Sequence, residues 1–157
     1  MTRGDQGLKM DELVRRLLTE QNECTLSWLT RAGPPASTVV SFILLDGLIA
    51  MTALEQSARV RAIRRNPNVA LVVSGSGSPV GHSRCVSIQG ECEIRGDQEI
   101  RDRFFPLFSE SVLPDSRKGA EMMAKSMNSP ENLVLLVTPS KLIPYDAQAS
   151  LDQANRM

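Results

Sequence analysis

Four arginines, Arg59, Arg61, Arg64 and Arg65, crowd into the stretch SARVRAIRRNP. A guanidinium is the side chain best suited to grip a phosphate or carboxylate, because its planar fork of donors meets two oxygens at once. Helical spacing divides the four. At about 100° per residue, Val60 and Ile63 share one side and define a buried face, while Arg61, Arg64 and Arg65 fall opposite and meet solvent. Arg59 borders the apolar face and lies in the first turn, where unpaired backbone N–H groups and the positive end of the helix dipole favour an anion. Ser57 stands at the N-cap position, with a hydroxyl that can accept from the helix backbone or donate to a phosphate oxygen. Hydroxyl, helix N-terminus and Arg59 therefore converge on one candidate anion site. The same residues also fit a capped helix with a solvated charged face that holds nothing.

Few other residues offer chemistry. Cys24, Cys85 and Cys92 stand far apart without CxxC spacing, and His82 is the sole histidine, a pattern that fits neither a disulfide framework nor a zinc site and suits a reducing cytoplasm. All three cysteines read as small buried hydrophobes, and Met122, Met123 and Met127 as packing residues at helical spacing. The Gly75–Gly81 segment misses the dinucleotide spacing GxGxxG. HExxH, Walker A and GxSxG motifs are absent from the sequence, and one histidine leaves no serine-histidine-acid set to assemble.

Lys+Arg and Asp+Glu balance at 18 each, so no overall field draws the chain to nucleic acid or an anionic membrane. Aromatic content of 4% leaves few platforms for stacking on single-stranded nucleic acid. The opening MTRGDQGLKMDE is polar, without the apolar core of a signal peptide. The longest apolar runs fall well short of the roughly 20 residues that span a bilayer, which leads us to expect a cytoplasmic protein free of the membrane.

The elements that must position the arginine helix follow from periodicity. A length of 157 residues predicts one domain, residues 1–157, with its core at about 8–146. Leu8, Met10, Leu13, Val14, Leu17 and Leu18 recur at helical spacing and predict a first helix ending near Gln21-Asn22. CTLSWLT reads as a strand closed by the turn Arg31 to Pro35. The run STVVSFILL, the pair Asp46-Gly47 and LIAMTAL read as a hairpin, since Asp-Gly tolerates positive φ. The arginine helix stops at Asn66-Pro67 because the residue before a proline avoids the α region. NVALVVSG is a strand, SGSGSPVG a flexible loop, and RCVSIQGECEIRG a long strand bent at Gly90. Two helical pieces broken at Pro114 fill about 97–125, NLVLLVTPSKLIPYD is the last strand, and the polar tail after Asp146 is expected to fray. Strands joined by hairpins with helices inserted between them predict a mainly β fold, an antiparallel β-barrel with flanking helices.

In order and spacing these pieces resemble the pyridoxamine 5′-phosphate oxidase-like family of FMN-binding split barrels, over roughly residues 13–146. The family's segment after the hairpin commonly reads Ser-Arg-Lys ahead of a helix and Asn-Pro. Here Ser57-Ala58-Arg59 stands at the same distance from Asn66-Pro67, with Arg59 in the place of the phosphate-binding lysine and Ala58 in that of the arginine. Thr52 matches a strand-end threonine near the same phosphate. RCVSIQG is similar to a family strand, Arg-Gln-Val-Arg-Ile-Glu-Gly, which puts Arg84 in register and Cys85 in place of a flavin-contacting glutamine. The resemblance implies FMN as cofactor, with the deazaflavin F420 as the alternative, backbone contacts to the flavin ring at Val39, Val40 and Ser41, and Arg84 near the phosphate or pyrimidine edge. It also implies a homodimer with two cofactor sites shared between subunits, acting on a small molecule. A non-catalytic barrel that stores or senses flavin or haem is a second reading, and His82 then reads as an exposed loop residue, a proton donor at the flavin edge or an axial haem ligand. The charged residues and C-terminal Arg-x-His that serve pyridoxamine phosphate oxidation are not matched in STVVSF or the tail, so synthesis of pyridoxal phosphate is not expected.

Overall fold

The computed structural model describes residues 11–157, so Leu8 and Met10 of the expected first helix lie outside the described residues. Helix α1, Glu12–Glu20, is capped by the Asp11 carboxylate, which accepts from the Val14 amide at 2.8 Å, and buries Val14, Leu17 and Leu18. There follow β1 (Glu23–Leu29), β2 (Pro35–Ser41), β3 (Ile43–Leu45), β4 (Leu48–Leu54), α2 (Ala58–Arg65), β5 (Asn68–Ser74), β6 (Arg84–Arg95), α3 (Gln98–Val112), α4 (Arg117–Met127), β7 (Asn132–Asp146) and α5 (Gln148–Asn155).

The strands form one sheet in the order β2-β1-β5-β6-β7-β4-β3, antiparallel at every pairing. Its two outermost strands, β2 and β3, are separated in the chain by Phe42 alone. A sheet whose edges are joined by one residue must curl until they meet, which gives the expected antiparallel barrel with flanking helices.

The apolar run read as a single strand breaks at that residue. Phe42 buries its ring and donates its backbone N–H to the Asn22 carbonyl at 3.0 Å, leaving the β3–β4 ladder for the neighbourhood of β1. The hairpin turn itself is as expected, with Asp46 at φ 53° and Gly47 at φ 77°.

Two apolar layers explain why β4 and β7 read as continuous rather than alternating runs. Ile49, Met51, Leu135 and Val137 point into the barrel with Leu26, Leu71 and Ile88, and α1 and α2 close over this layer with Leu17, Val60 and Ile63. Ala50, Val134 and Leu136 point outward and are covered by Phe104, Phe105 and Phe108 of α3. The Phe104 and Phe108 rings stack at 5.0 Å. Strands buried on both faces lose the polar alternation of a one-sided sheet.

Two expectations are corrected. The SGSGSPVG segment is pinned rather than flexible: Val80 is buried in the main core, the Ser78 hydroxyl donates to the Gly75 carbonyl at 2.8 Å, and the Gln21 amide donates to the Ser74 and Ser76 carbonyls at 2.7 and 2.9 Å. One apolar residue in a Gly/Ser stretch is enough to anchor it. The tail is also ordered as α5, although that helix buries no side chain. Its support is local: Asp146 Oδ1 accepts from the Gln148 and Ala149 amides at 3.0 and 3.4 Å, and the Ala147 amide donates to the Ser83 carbonyl at 2.8 Å.

The start of α3 responds to pH in a definite sense. Asp97 is the N-cap of α3, accepts from Arg95 at 2.8 and 2.9 Å, and takes the Ile100 amide at 3.3 Å. The Arg95 guanidinium, with the Ile100 amide assisting, holds the Asp97 carboxyl far below the usual carboxylate range, at about 2. A folded pKa below the unfolded one contributes stability above about pH 4, which is lost as pH falls through about 2. Thermal unfolding between pH 5 and pH 2 is therefore expected to fall less steeply in Asp97→Asn, which keeps a capping side chain without the titration. An unchanged slope would show that the pair is not felt.

Candidate cofactor site

Strand β4 alternates inward and outward, and its outward positions toward the C-terminal end are Thr52 and Leu54. The Thr52 hydroxyl donates to the Leu133 carbonyl of β7 at 2.8 Å, so its proton is already engaged. Three residues after β4 ends, Ser57 caps α2 with extended backbone, φ −66° and ψ 148°, and its Oγ accepts from the Val60 amide over a long 3.4 Å. That leaves the Ser57 hydroxyl proton free for a ligand.

The arginines of α2 separate as the helical spacing predicts. Val60, Ala62 and Ile63 are buried and Arg61, Arg64 and Arg65 are exposed. Arg64 is paired bidentately with Glu55, its Nη2–Oε2 contact measuring 3.0 Å, and Arg61 Nη1 donates to the Gln56 carbonyl at 2.6 Å. Arg59 differs from both. It is half-buried, reaches only the Thr52 carbonyl from Nη2 at 3.4 Å, and carries a buried Nε without any partner. A desolvated guanidinium N–H left unpaired costs free energy that an anion in front of it would recover. The first turn of α2 contains no acidic residue to take that place.

Beside this point the sheet opens. Continuing the β3–β4 register past Ile43↔Ala50 sets Ser41 opposite Thr52, yet β2 pairs with β1 through Glu23↔Ser41, Cys24↔Val40 and Thr25↔Val39. The last half of β4 is therefore left without a strand partner on its β3 side, and β2 turns from it to β1. Val39 and Ser41 face outward and Val40 packs toward the core. As an edge strand, β2 leaves one row of backbone N–H and C=O groups without a strand partner, which is what backbone contact to a planar ring needs.

Arg84 and Cys85 are not brought to that corner. Arg84 pairs with Asp146 at one end of the β6–β7 ladder, while Arg95 at the other end pairs with Val134, the partner of Thr52. The Arg84 guanidinium is held by Asp146 Oδ1 at 3.3 Å and the Val80 carbonyl at 3.0 Å. Cys85 is half-buried on the outer face between Ser74 and Tyr145. It lies on the cross-strand row that starts at Ser41 and passes Glu23 and Ser74, about 14 Å from Ser41 at ~4.8 Å per strand. His82 is exposed, next to Ser83 at φ 63°. Burial pushes the Cys24 and Cys92 thiols up to about 12, which makes both inert at neutral pH. Met123 and Met127 pack under α3, as expected, and Met122 is exposed. Among the described residues, no three His, Cys, Asp or Glu side chains cluster to hold a metal ion, and no helix is long and apolar enough to cross a membrane.

Sequence reasoning missed the outer face. Val39, Val72 and Tyr145 stand 60%, 41% and 62% exposed on β2, β5 and β7, and two grooves lie on this side of the sheet. The larger, about 410 Å³, runs past Leu29, Ala70 and Gln89, and the smaller, about 200 Å³, lies between Val39 and Val72. Val72 sits in the unbroken run VALVV, where alternation gives no sign of which side each valine takes.

The sequence matches the family model described as pyridoxamine 5′-phosphate oxidase over residues 10–144. No curated protein matches it. Among solved structures, the fold is similar to the conserved hypothetical protein Rv2991 of Mycobacterium tuberculosis, with a TM-score of 0.75 and 19% identity over 87% of this chain and 85% of that one. It is also similar to an F420 reductase, with a TM-score of 0.63 and 18% identity over 82% of this chain and 94% of the other. A pyridoxamine 5′-phosphate oxidase-related, FMN-binding protein of Nostoc punctiforme gives a TM-score of 0.63 and 14% identity, covering 81% and 75%.

Proposed function

The chain belongs to the pyridoxamine 5′-phosphate oxidase family, and on that premise we propose that it is an FMN-binding oxidoreductase acting as a cytoplasmic homodimer on a small molecule. The observation that carries this reading is Arg59, whose buried Nε lacks a partner at the N-terminus of α2 beside the free Ser57 hydroxyl proton. A phosphate monoester satisfies all three features at once: the guanidinium fork, the hydroxyl donor and the helix dipole. Thr52 joins them by turning its hydroxyl from the Leu133 carbonyl, and Val39, Val40 and Ser41 offer backbone to the ring along the free edge of β2. Bound FMN supplies hydride and single-electron chemistry, while the chain binds it, orients it and shields one face.

The homodimer is supported by the outer sheet face. Val39, Val72, Ile143 and Tyr145 are exposed on the outer face of β2, β5 and β7, apolar surface that a second copy would remove from water. Cys85 lies on that face and Arg84 at the end of the same ladder, both away from Arg59, so their cofactor roles belong to a site completed between two subunits. The substrate is not pyridoxamine phosphate in this reading, because STVVSF lacks the charged residues that would bracket it.

The test is the absorption spectrum of protein purified without added cofactor. Bands near 370 and 450 nm, roughly those of oxidised flavin, are expected, and a single band to the blue of 450 nm would instead assign F420. The similarity to an F420 reductase supports that second cofactor on the same barrel. A colourless protein that also fails to take up FMN would overturn both. An FMN-loaded protein never reduced by NADH or NADPH, and inert toward amines and alcohols, would establish the storing or sensing reading instead.

A further inference from the structure

We infer that Arg64 is a positioning residue for the anion corner: it holds the Glu55 carboxylate away from Arg59 and so keeps that guanidinium open to phosphate. The inference rests on the proposed reading of Ser57 and Arg59 as the phosphate's seat. Arg59 has one long contact, to the Thr52 carbonyl, and among the described residues no carboxylate pairs with it. An unpaired, half-buried guanidinium attracts any acid free to reach it. Glu55 is the acid placed to do so. It stands two residues before the Ser57 cap, so its backbone is at most about 7 Å from that of Ser57. The turn closed by the Ser57 amide on the Leu54 carbonyl at 3.0 Å keeps it at the start of α2.

Arg64 draws the carboxylate the other way. It follows Arg59 by five residues, about 140° round the helix. It grips Glu55 with Nη1 on Oε1 and Nη2 on Oε2, the second at 3.0 Å. A two-pronged pair fixes the direction of a carboxylate, where a single contact lets it swing. Both side chains are about half exposed, so the pair adds little to stability and acts through where the carboxylate points. The hydrogen bond from Arg64 also holds the Glu55 carboxyl below the usual carboxylate range, so a released Glu55 would meet the phosphate site as an anion. The loop is braced at the same time: Arg61 Nη1 donates to the Gln56 carbonyl at 2.6 Å, and the Glu55 amide to the Glu131 carbonyl at 2.9 Å. Arg61 and Arg64 thus serve the loop that carries Ser57, and Arg59 is left for the ligand.

The test is a double-mutant cycle in FMN binding, followed by quenching of flavin fluorescence at one fixed salt concentration. Arg64→Ala is expected to weaken FMN about five- to tenfold, and the same change in a Glu55→Gln background to cost less than about twofold, because no acid is then released. Glu55→Gln alone should stay within about twofold of the wild type. Riboflavin, the same ring without the phosphate, should bind all four forms alike, which a general loosening of the fold would not allow. Glu131→Gln, at the exposed acid across from Glu55, should leave the Arg64→Ala loss in place. A loss of equal size in the Glu55 and Gln backgrounds would overturn the inference, because Arg64 would then act on the phosphate by its own charge. An Arg64→Ala without effect, a loss shared by riboflavin, or a loss abolished by Glu131→Gln would overturn it too. Failure of the wild type to bind FMN counts against the proposed function, and failure of the cycle to couple counts against Arg64.

Discussion

Arg59→Ala is expected to weaken FMN binding by about 10- to 100-fold, and Arg65→Ala by less than about twofold, in titrations at one fixed salt concentration. The difference follows from what each guanidinium already does. Arg65 is exposed at the far end of α2, where its charge suits the negative end of the helix and its distance from the first turn makes it a poor phosphate ligand. Arg59 has an unpaired buried N–H and a single long contact to Thr52, so little is lost when it turns to an anion and a charge-assisted pair is gained. Equal losses in the two variants would remove Arg59 from the site and leave only a general positive field. In the same titration, Ala58→Arg should tighten binding, because Ala58 is exposed at the first position of α2 and faces no competing acid in that turn.

The anion corner was legible in the sequence because it is built from local rules. An N-cap serine, the angular separation of Arg59 from Arg61, Arg64 and Arg65, and a stop at Asn-Pro all act within one helix, and the structure keeps each of them. The Asp46-Gly47 hairpin and the bend at Gly90 were legible for the same reason. What could not be read were consequences of long-range pairing. Phe42 looks like one more residue of an apolar strand, and only the curl of the whole sheet, which asks β2 and β3 to be opposite edges, makes it a break. Val80 looks like loop filler until the barrel end it closes is present. Asp146 could not announce that it takes the Gln148 and Ala149 amides at the start of α5 while also pairing with Arg84, since that partner is brought by the β6–β7 ladder. Family resemblance puts Arg84 and Cys85 with Arg59 at one cofactor, whereas the sheet sets them apart and makes their shared use a question of two subunits.

Gly90→Ala is expected to destabilise the fold by about 2–3 kcal/mol, read as a lowered urea midpoint at unchanged slope. Between Gln89↔Lys141 and Gly90↔Pro139 the β6–β7 register shifts, leaving Ser140 as an extra residue on β7. The bulge brings the β7 backbone down onto Gly90, where an added Cβ would stand 2.5 Å from the Thr138 carbonyl oxygen and 2.9 Å from Val137 Cγ1. The obstructing oxygen belongs to a strand held by its own ladder, so relief requires re-spacing β6 and β7 at the bend. Gly96→Ala is the matched control. Its Cβ would stand 2.8 Å from Leu133 Cδ2, the far end of a side chain that can rotate, and the cost should stay below about 1 kcal/mol. Equal effects would mean that the bulge yields as easily as a leucine methyl. A large loss at Gly90 alone would tie the bend to the fold itself: the half of β6 and β7 beyond the bulge carries Cys85, Ile143 and Tyr145 to the outer face, and the half before it carries the partner strand of Thr52. The register shift at one glycine therefore sets where both groups of candidate residues stand.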